Sequence, residues 1–468
     1  MLRLLVVGLL VGGCSVHSPE HESVGGVSVP QALLSNEIEL GVASQILTGA
    51  VRAQQNPSSV VIGTIAFVAW EDERHDGLGD IFGAFVDVST HALVSTQPLV
   101  VRNGRQARPQ VASNGTGYFV VYEDGEAPNT DIMGVYVQAN GTVGAPFPIA
   151  NSAANEEYPS VAFGAGRYMV AWDIGAGAGL VGPIWSVRFA DGATPGAPEI
   201  TGDGPYADSN ASIGFDGQQF VLAWSEVLAQ TAFPTLSCIA MLRIAPTAGA
   251  LTPSAGTCVA PVPSRLPDAG TNIRPLQLTP WVANNPTGAG ATAIAWADQR
   301  FKTPVDRTFV ARVQNGATLA SDADGGVELA LFGGIQTTPK VVMGNTVLYS
   351  VAWVDISSNT AQWTDVPSSA PFSSTFSQPS PAQGVSTIAG DVSLSANTMT
   401  QAASFVWSET VGSFTELDLF GASGMRGGNL QKSVNFSLSA NAQESPSVAV
   451  GPAGQLVAWA DFQGFDAG

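Results

Sequence analysis

Short apolar runs, each bounded by polar or glycine-rich turns, recur from one end of the chain to the other. Runs such as "IAFVAWED" (65–72) and "DIFGAFV" (80–86) have the length of strands, and amphipathic helices with charged wet faces are scarce. One apolar stretch also carries a fixed aromatic. "VAWED" (68–72) returns as "VVYED" (120–124), "VAWDI" (170–174), "LAWSE" (222–226), "IAWAD" (294–298), "VAWVD" (351–355), "FVWSE" (405–409) and "VAWAD" (457–461), eight copies in all. The aromatics fall at Trp70, Tyr122, Trp172, Trp224, Trp296, Trp353, Trp407 and Trp459, in steps of 52, 50, 52, 72, 57, 54 and 52 residues.

Every copy has similar neighbours. Upstream lies a strand entered through proline or a small residue, as in "PQVASNG" (109–115), "PSVAFGAG" (159–166), "PWVANN" (280–285), "PKVVMGN" (339–345) and "PSVAVG" (446–451). Asn114-Gly115 is the dipeptide of a tight hairpin, whose central residues need positive φ. Downstream come a polar loop, a third strand such as "DIMGVYV" (131–137) or "DLFGAS" (418–423), and a fourth such as "APFPIA" (145–150). A four-stranded antiparallel sheet cannot bury both faces alone, and radial stacking solves that problem, so the pattern predicts an all-β fold, a β-propeller. The copies predict eight blades, with seven as the alternative if the irregular fourth and fifth units do not both form complete sheets. "EIELGVAS" (37–44) reads as a fourth strand without a blade before it. Lent to the last unit, it would close the ring and hide both edges; the third strand of that unit is left unaccounted for.

The first residues follow another pattern. "MLRLLVVGLLVGGC" has one cation, Arg3, then an apolar run too short to span a bilayer as a helix, and it reads as a secretory leader. Its end, Val11-Gly12-Gly13-Cys14, resembles the lipobox of bacterial lipoproteins. The resemblance implies cleavage after Gly13, a lipid on Cys14 and, with Ser15 rather than aspartate next, sorting to the outer membrane. The expected organisation is therefore a leader over 1–13, a tether over 14–35 and a propeller over 36–468, with the membrane engaged through the N-terminal lipid. The chain beyond the leader resembles tandem-repeat propeller proteins of bacterial envelopes, without an Asp-box pattern or the Gly-His and Trp-Asp signature of the WD type.

Composition narrows the chemistry. With 18 basic against 38 acidic residues the formal charge is −20, so a phosphate backbone is repelled and nucleic acid is excluded as a partner. Cys238 and Cys258 form an even pair in an oxidising compartment and are expected to be bridged. Of the four histidines, His17 and His21 lie in the tether and His75 and His91 in the first unit. No G-x-S-x-G, H-E-x-x-H or phosphate-cradling motif is present, so no catalytic residue is assigned.

The acidic loop of the first unit could give a hard cation an oxygen shell, with Asp72, Asp76 and Asp80 the candidates for Ca²⁺. "SDADGG" (321–326), with Asp322 and Asp324, could do the same. Both also read as solvated turns, and no cofactor is assigned. The repeated tryptophans could stack on sugars, but an aromatic at one place in every repeat is expected as a wedge between blades. The resulting expectation is an envelope module that binds protein or glycan. The alternatives are a polysaccharide-cleaving enzyme with carboxylates in the propeller channel, and a structural envelope protein.

Overall fold

The computed structural model describes residues 2–8, 37–39, 54–73, 75, 77–90, 92–176, 180–202, 208–229, 236–247, 249, 256–259, 277–299, 306–320, 322, 326–329, 339–345, 347–355, 360–369, 388–397, 402–410, 417–425, 434–437 and 443–461. They form antiparallel sheets with a common plan. In the first sheet the order is Gln54–Ile62, Ile65–Asp72, Asp80–Asp87 and Ala92–Val100, each strand paired with the next along the chain. The second repeats it with Gln106–Ser113, Gly117–Asp124, Asp131–Gln138 and Phe147–Ala150. The third, fourth, fifth and seventh follow the same hairpin order, and the sixth shows three strands among the described residues. This is the propeller architecture expected from the repeat.

Alternation along each central strand sends successive side chains to opposite faces, and the two faces are unlike. The repeated aromatics are all buried, each with 0% or 1% of its surface exposed. Seven of the eight cluster with the preceding sheet, on the residue just before its aromatic, alanine in six cases and valine in one. Tyr122 clusters with Ala69, Trp172 with Val121, Trp224 with Ala171, Trp296 with Ala223, Trp353 with Ala295, and Trp407 with Ala352. Trp70 clusters in the same way with Ala458 of the last sheet. The tryptophans are thus wedges and not sugar platforms. Gly134 in a third strand has a related cause, because a Cβ there would lie 2.6 Å from Cζ of Phe119, which crosses that point from the central strand.

The first strands pack against one another in series, and the contacts return from Gln443–Val450 to Gln54–Ile62. Serine hydroxyls stitch this inner layer. Ser58 accepts the amide of Val111, Ser160 that of Ile213, Ser212 that of Val282 and Ser393 that of Val448, each at 3.0–3.1 Å. Between the last sheet and the first, Ser59 and Ser447 share a hydroxyl hydrogen bond of 2.7 Å.

The last sheet is composed from both ends of the chain, in the order Glu37–Glu39, Leu2–Gly8, Gly454–Asp461, Gln443–Val450. The third-strand position left open by the sequence is thereby filled by residues also expected to form the leader, since a short apolar run suits either role. Cys238, on the third strand of the fourth sheet, is bridged to Cys258 on the fourth, with Cα atoms 5.7 Å apart. No helix among the described residues is long and apolar enough to cross a membrane.

Leu2–Gly8 pairs residue for residue with Ala460–Gly454. A chain lacking residues 1–13 is therefore expected to expose that edge and to show faster amide exchange along Gly454–Asp461, while the amides of Gly117–Asp124 stay protected. Unchanged exchange in the last sheet would show that the pairing contributes nothing.

Candidate functional site

One end of the ring, where first strands begin and second strands end, concentrates the polar chemistry. Six of the first strands carry a one-residue bulge there. Between Gln55 and Ser58, Ala107 and Gln110, Glu157 and Ser160, Ser209 and Ser212, Leu278 and Trp281, and Glu444 and Ser447, the register gains one residue over the neighbouring strand. The extra residue is held at positive φ: Asn56 at 54°, Arg108 at 47°, Tyr158 at 54°, Asn210 at 59°, Thr279 at 49° and Ser445 at 52°. In all but Asn210 a proline follows. Asparagine tolerates this conformation; a bulky side chain in it is strained by about 1–3 kcal/mol.

Buried acids anchor the bulges from the preceding sheet. Glu71 follows Trp70 and accepts Gln55 Nε2 and Asn56 Nδ2 of its own sheet, each at 3.0 Å. From the second sheet it accepts Arg105 Nη2 at 3.2 Å and the Arg108 amide at 3.4 Å. Glu123, following Tyr122, accepts Arg108 Nη1 at 2.9 and 3.0 Å and the amide of Tyr158 at 2.8 Å. Asp173, following Trp172, accepts the amides of Asn210 at 2.8 Å and Ala211 at 3.2 Å. Later sheets have Ser225, Ala297 and Val354 in this place, so the carboxylate staple belongs to the first three junctions.

A second set of acids lies two residues after the aromatic. Asp72 and Asp298 each accept the indole N–H of their own tryptophan, Trp70 and Trp296, at 3.0 Å. Asp124 and Asp298 accept Gln106 Nε2 and Gln277 Nε2 at 2.9 Å. Arg102 Nη1 reaches Asp124 at 2.9 Å.

The cation candidates are placed differently from one another. Asp72 is buried in its bond to Trp70. Asp80 is buried, accepts the Arg102 amide at 3.0 Å and lies 3.6 Å from Nδ1 of His75. Asp76 and Asp324 lie outside the described residues. Asp322 is buried and grips Arg312, with Nε and Nη2 donating at 2.8 and 2.6 Å. No group of three His, Cys, Asp or Glu suited to a metal ion occurs among the described residues. Cys14 is likewise outside them.

At the junction of the third and fourth sheets acids gather where the strands end. Asp173 and Glu226 are buried, Asp208 lies directly opposite Glu226 in the strand pair, and its charge raises both neighbours. Burial is the larger cause, and together these push Asp173 and Glu226 each up to about 7. Burial also raises Glu123 and Glu156. This grouping was not legible in the sequence, because it joins the ends of two sheets. Tyr158 was missed as well; its only trace is an aromatic where the other bulges carry Asn, Arg, Thr or Ser.

No protein-family model matches the chain. No curated protein matches it. Among solved structures it is similar to one from a structural and mechanistic analysis of two prolyl endopeptidases, at 10% identity and a TM-score of 0.44, covering 84% of this chain and 51% of that one. It is similar to Trypanosoma rangeli sialidase in complex with the inhibitor DANA, at 9% identity and a TM-score of 0.39, covering 68% of this chain and 55% of that one. A third is the GH43 endo-arabinanase from Bacillus licheniformis, at 12% identity and a TM-score of 0.32, covering 67% of this chain and 93% of that one. The chain spans about half the length of the sialidase and of the endopeptidase chain it matches.

The raised acids set a pH dependence. A carboxyl whose folded pKa exceeds its unfolded value favours folding fully below the unfolded value, and that contribution is lost as pH rises through the folded one. Between pH ~4, the ordinary carboxyl range, and the value of about 7 for Asp173 and Glu226, thermal stability is therefore expected to fall. Asp173→Asn, which keeps an acceptor for one of the two amides, should flatten that slope. A melting temperature that rises over this window in the wild type, or an unchanged slope in the variant, would contradict the assignment.

Proposed function

We propose that the chain is an outer-membrane lipoprotein, anchored through Cys14 once residues 1–13, and with them the Leu2–Gly8 strand of the last sheet, are cleaved away, and that its propeller binds a glycan or protein ligand at the end of the ring where the first strands begin. One observation carries this reading over catalysis: Glu71, Glu123 and Asp173 are each engaged by donors of the next sheet. Carboxylates so engaged hold a face rigid, and a preorganised face binds without an ordering cost. The loops around such a face are free to vary and to supply specificity.

A second reading is favoured by the Asp173, Asp208 and Glu226 grouping. Two carboxyls raised to about 7 beside a third acid are the kind of set that divides acid and base roles in polysaccharide cleavage. Here Glu226 would supply the proton, with Asp208 as the acid directly opposite it in the strand pair.

Two measurements test these readings. Cys14→Ser is expected to move the protein from the membrane to the soluble fraction; a variant that stays in membranes and still takes up a labelled fatty acid would contradict the anchor. On a panel of polysaccharides, the wild type is expected to bind without releasing reducing ends. Turnover that Glu226→Gln abolishes would overturn the binding reading in favour of the second.

A further inference from the structure

The fold demands a positive φ in the bulge of the first strand, and four of the six described cases fill it with Asn, Thr or Ser. The second and third sheets use Arg108 and Tyr158 instead. Burial does not compensate for the strain at Tyr158, whose surface is 51% exposed. Its backbone amide is fixed on Glu123 at 2.8 Å, a bond that any residue there could make and that does not call for a phenol ring. The Arg108 guanidinium lies over the ring, 4.5 Å from its centroid, and is itself clamped by Glu123 at 2.9 Å. One face of the ring is thus backed by a fixed plane of charge, and the exposed half lies on the other side and along the rim.

Resting on the binding-module reading, we propose that Tyr158 is a stacking platform for a neutral saccharide ring, with Arg108 and Glu157 placed beside it to bond vicinal hydroxyls and the buried Glu123 holding Arg108 in place. An aromatic face takes the C–H face of a sugar, and planar donors and acceptors at its rim fix the orientation. Charge selects against an acidic sugar. The arginines of this segment are each paired with a carboxylate, Arg102 with Asp124, Arg105 with Glu71 and Arg108 with Glu123, and the whole chain carries −20. With those arginines paired, an anionic ligand would meet the net negative charge of the chain and be repelled.

Among the described residues, Trp281 is the other aromatic exposed on a first strand at this end, at 37%. It stands where other sheets have Ser58, Ser160, Ser212 and Ser447, and Lys340 Nζ lies 3.4 Å from its ring centroid. It provides an internal control.

The test is titration calorimetry of the full chain with cellohexaose, xylohexaose and mannohexaose, with a galacturonate hexamer as the charged counterpart. Three proteins are compared: the wild type, Tyr158→Asn and Trp281→Ser. Asparagine relaxes the backbone at position 158, so the first variant is expected to melt at or above the wild-type temperature. It should nevertheless bind the neutral oligosaccharide about tenfold or more weakly, while Trp281→Ser binds like the wild type. Equal affinity in Tyr158→Asn, or a loss confined to Trp281→Ser, would overturn the platform while leaving the binding reading standing. Preference for the galacturonate hexamer would overturn the neutral class. A wild type that binds none of these sugars overturns the inference; it leaves the binding reading standing if an envelope protein is bound instead, and removes that reading as well if none is.

Discussion

Seven of the sheets are positioned by seating the central aromatic on the residue just before the aromatic of the preceding sheet, an alanine at six of these junctions. The aromatic and the small residue are adjacent in sequence, so alternation turns one toward the preceding sheet and the other toward the next. A dipeptide such as Ala295-Trp296 therefore acts at two interfaces at once, offering its alanine to Trp353 and its tryptophan to Ala223. Interiors packed this closely resist displacement, so the contact fixes both the spacing and the register between sheets. Everything at the end of the ring depends on that register. Glu71 meets Arg105 and the Arg108 amide, and Glu123 meets Tyr158, only because the neighbouring sheet is held where the aromatic puts it.

The polar end shows how a repeated scaffold leaves room for individuality. The bulge and its positive φ recur from sheet to sheet and belong to the architecture. The side chain at the bulge does not recur, nor does the acid that anchors it. At the junction of the second and third sheets an arginine, a carboxylate and an exposed tyrosine are gathered around a strained backbone; one junction further, three acids lie together, and the charge of Asp208 raises Asp173 and Glu226. The first arrangement suits recognition of a polar ring and the second suits proton transfer. The two arrangements adjoin, since Glu157 beside Tyr158 lies directly opposite Asp173 in the strand pair.

Much of the architecture was legible in the chain. The aromatic copies marked the central strands, the proline-entered runs marked the first strands, and the fixed place of the aromatic pointed to wedges, which the burial of Trp70 through Trp459 matches. These are local signals, carried by residues within one repeat. The polar site was not legible, because its contacts cross between repeats. Glu71 and Arg105, or Asp173 and Asn210, are joined by the geometry of the ring and by no spacing along the sequence. The acidic loop of the first unit drew attention by its density of charge, yet Asp72 and Asp80 serve an indole and a backbone amide. The pairing of Leu2–Gly8 with the last sheet escaped for a different reason, since an apolar run behind a single cation has the pattern of a leader whatever else it pairs with.

A double-mutant cycle across one sheet junction tests the central claim most directly. Enlarging Ala295 to leucine should overpack the seat of Trp353 and cost about 1–3 kcal/mol, and Trp353→Leu should leave a cavity of comparable or greater cost. If the two residues share one space, the double variant should be more stable than the sum of the single losses by about 1 kcal/mol or more. Losses that simply add, to within about 0.5 kcal/mol, would contradict the account.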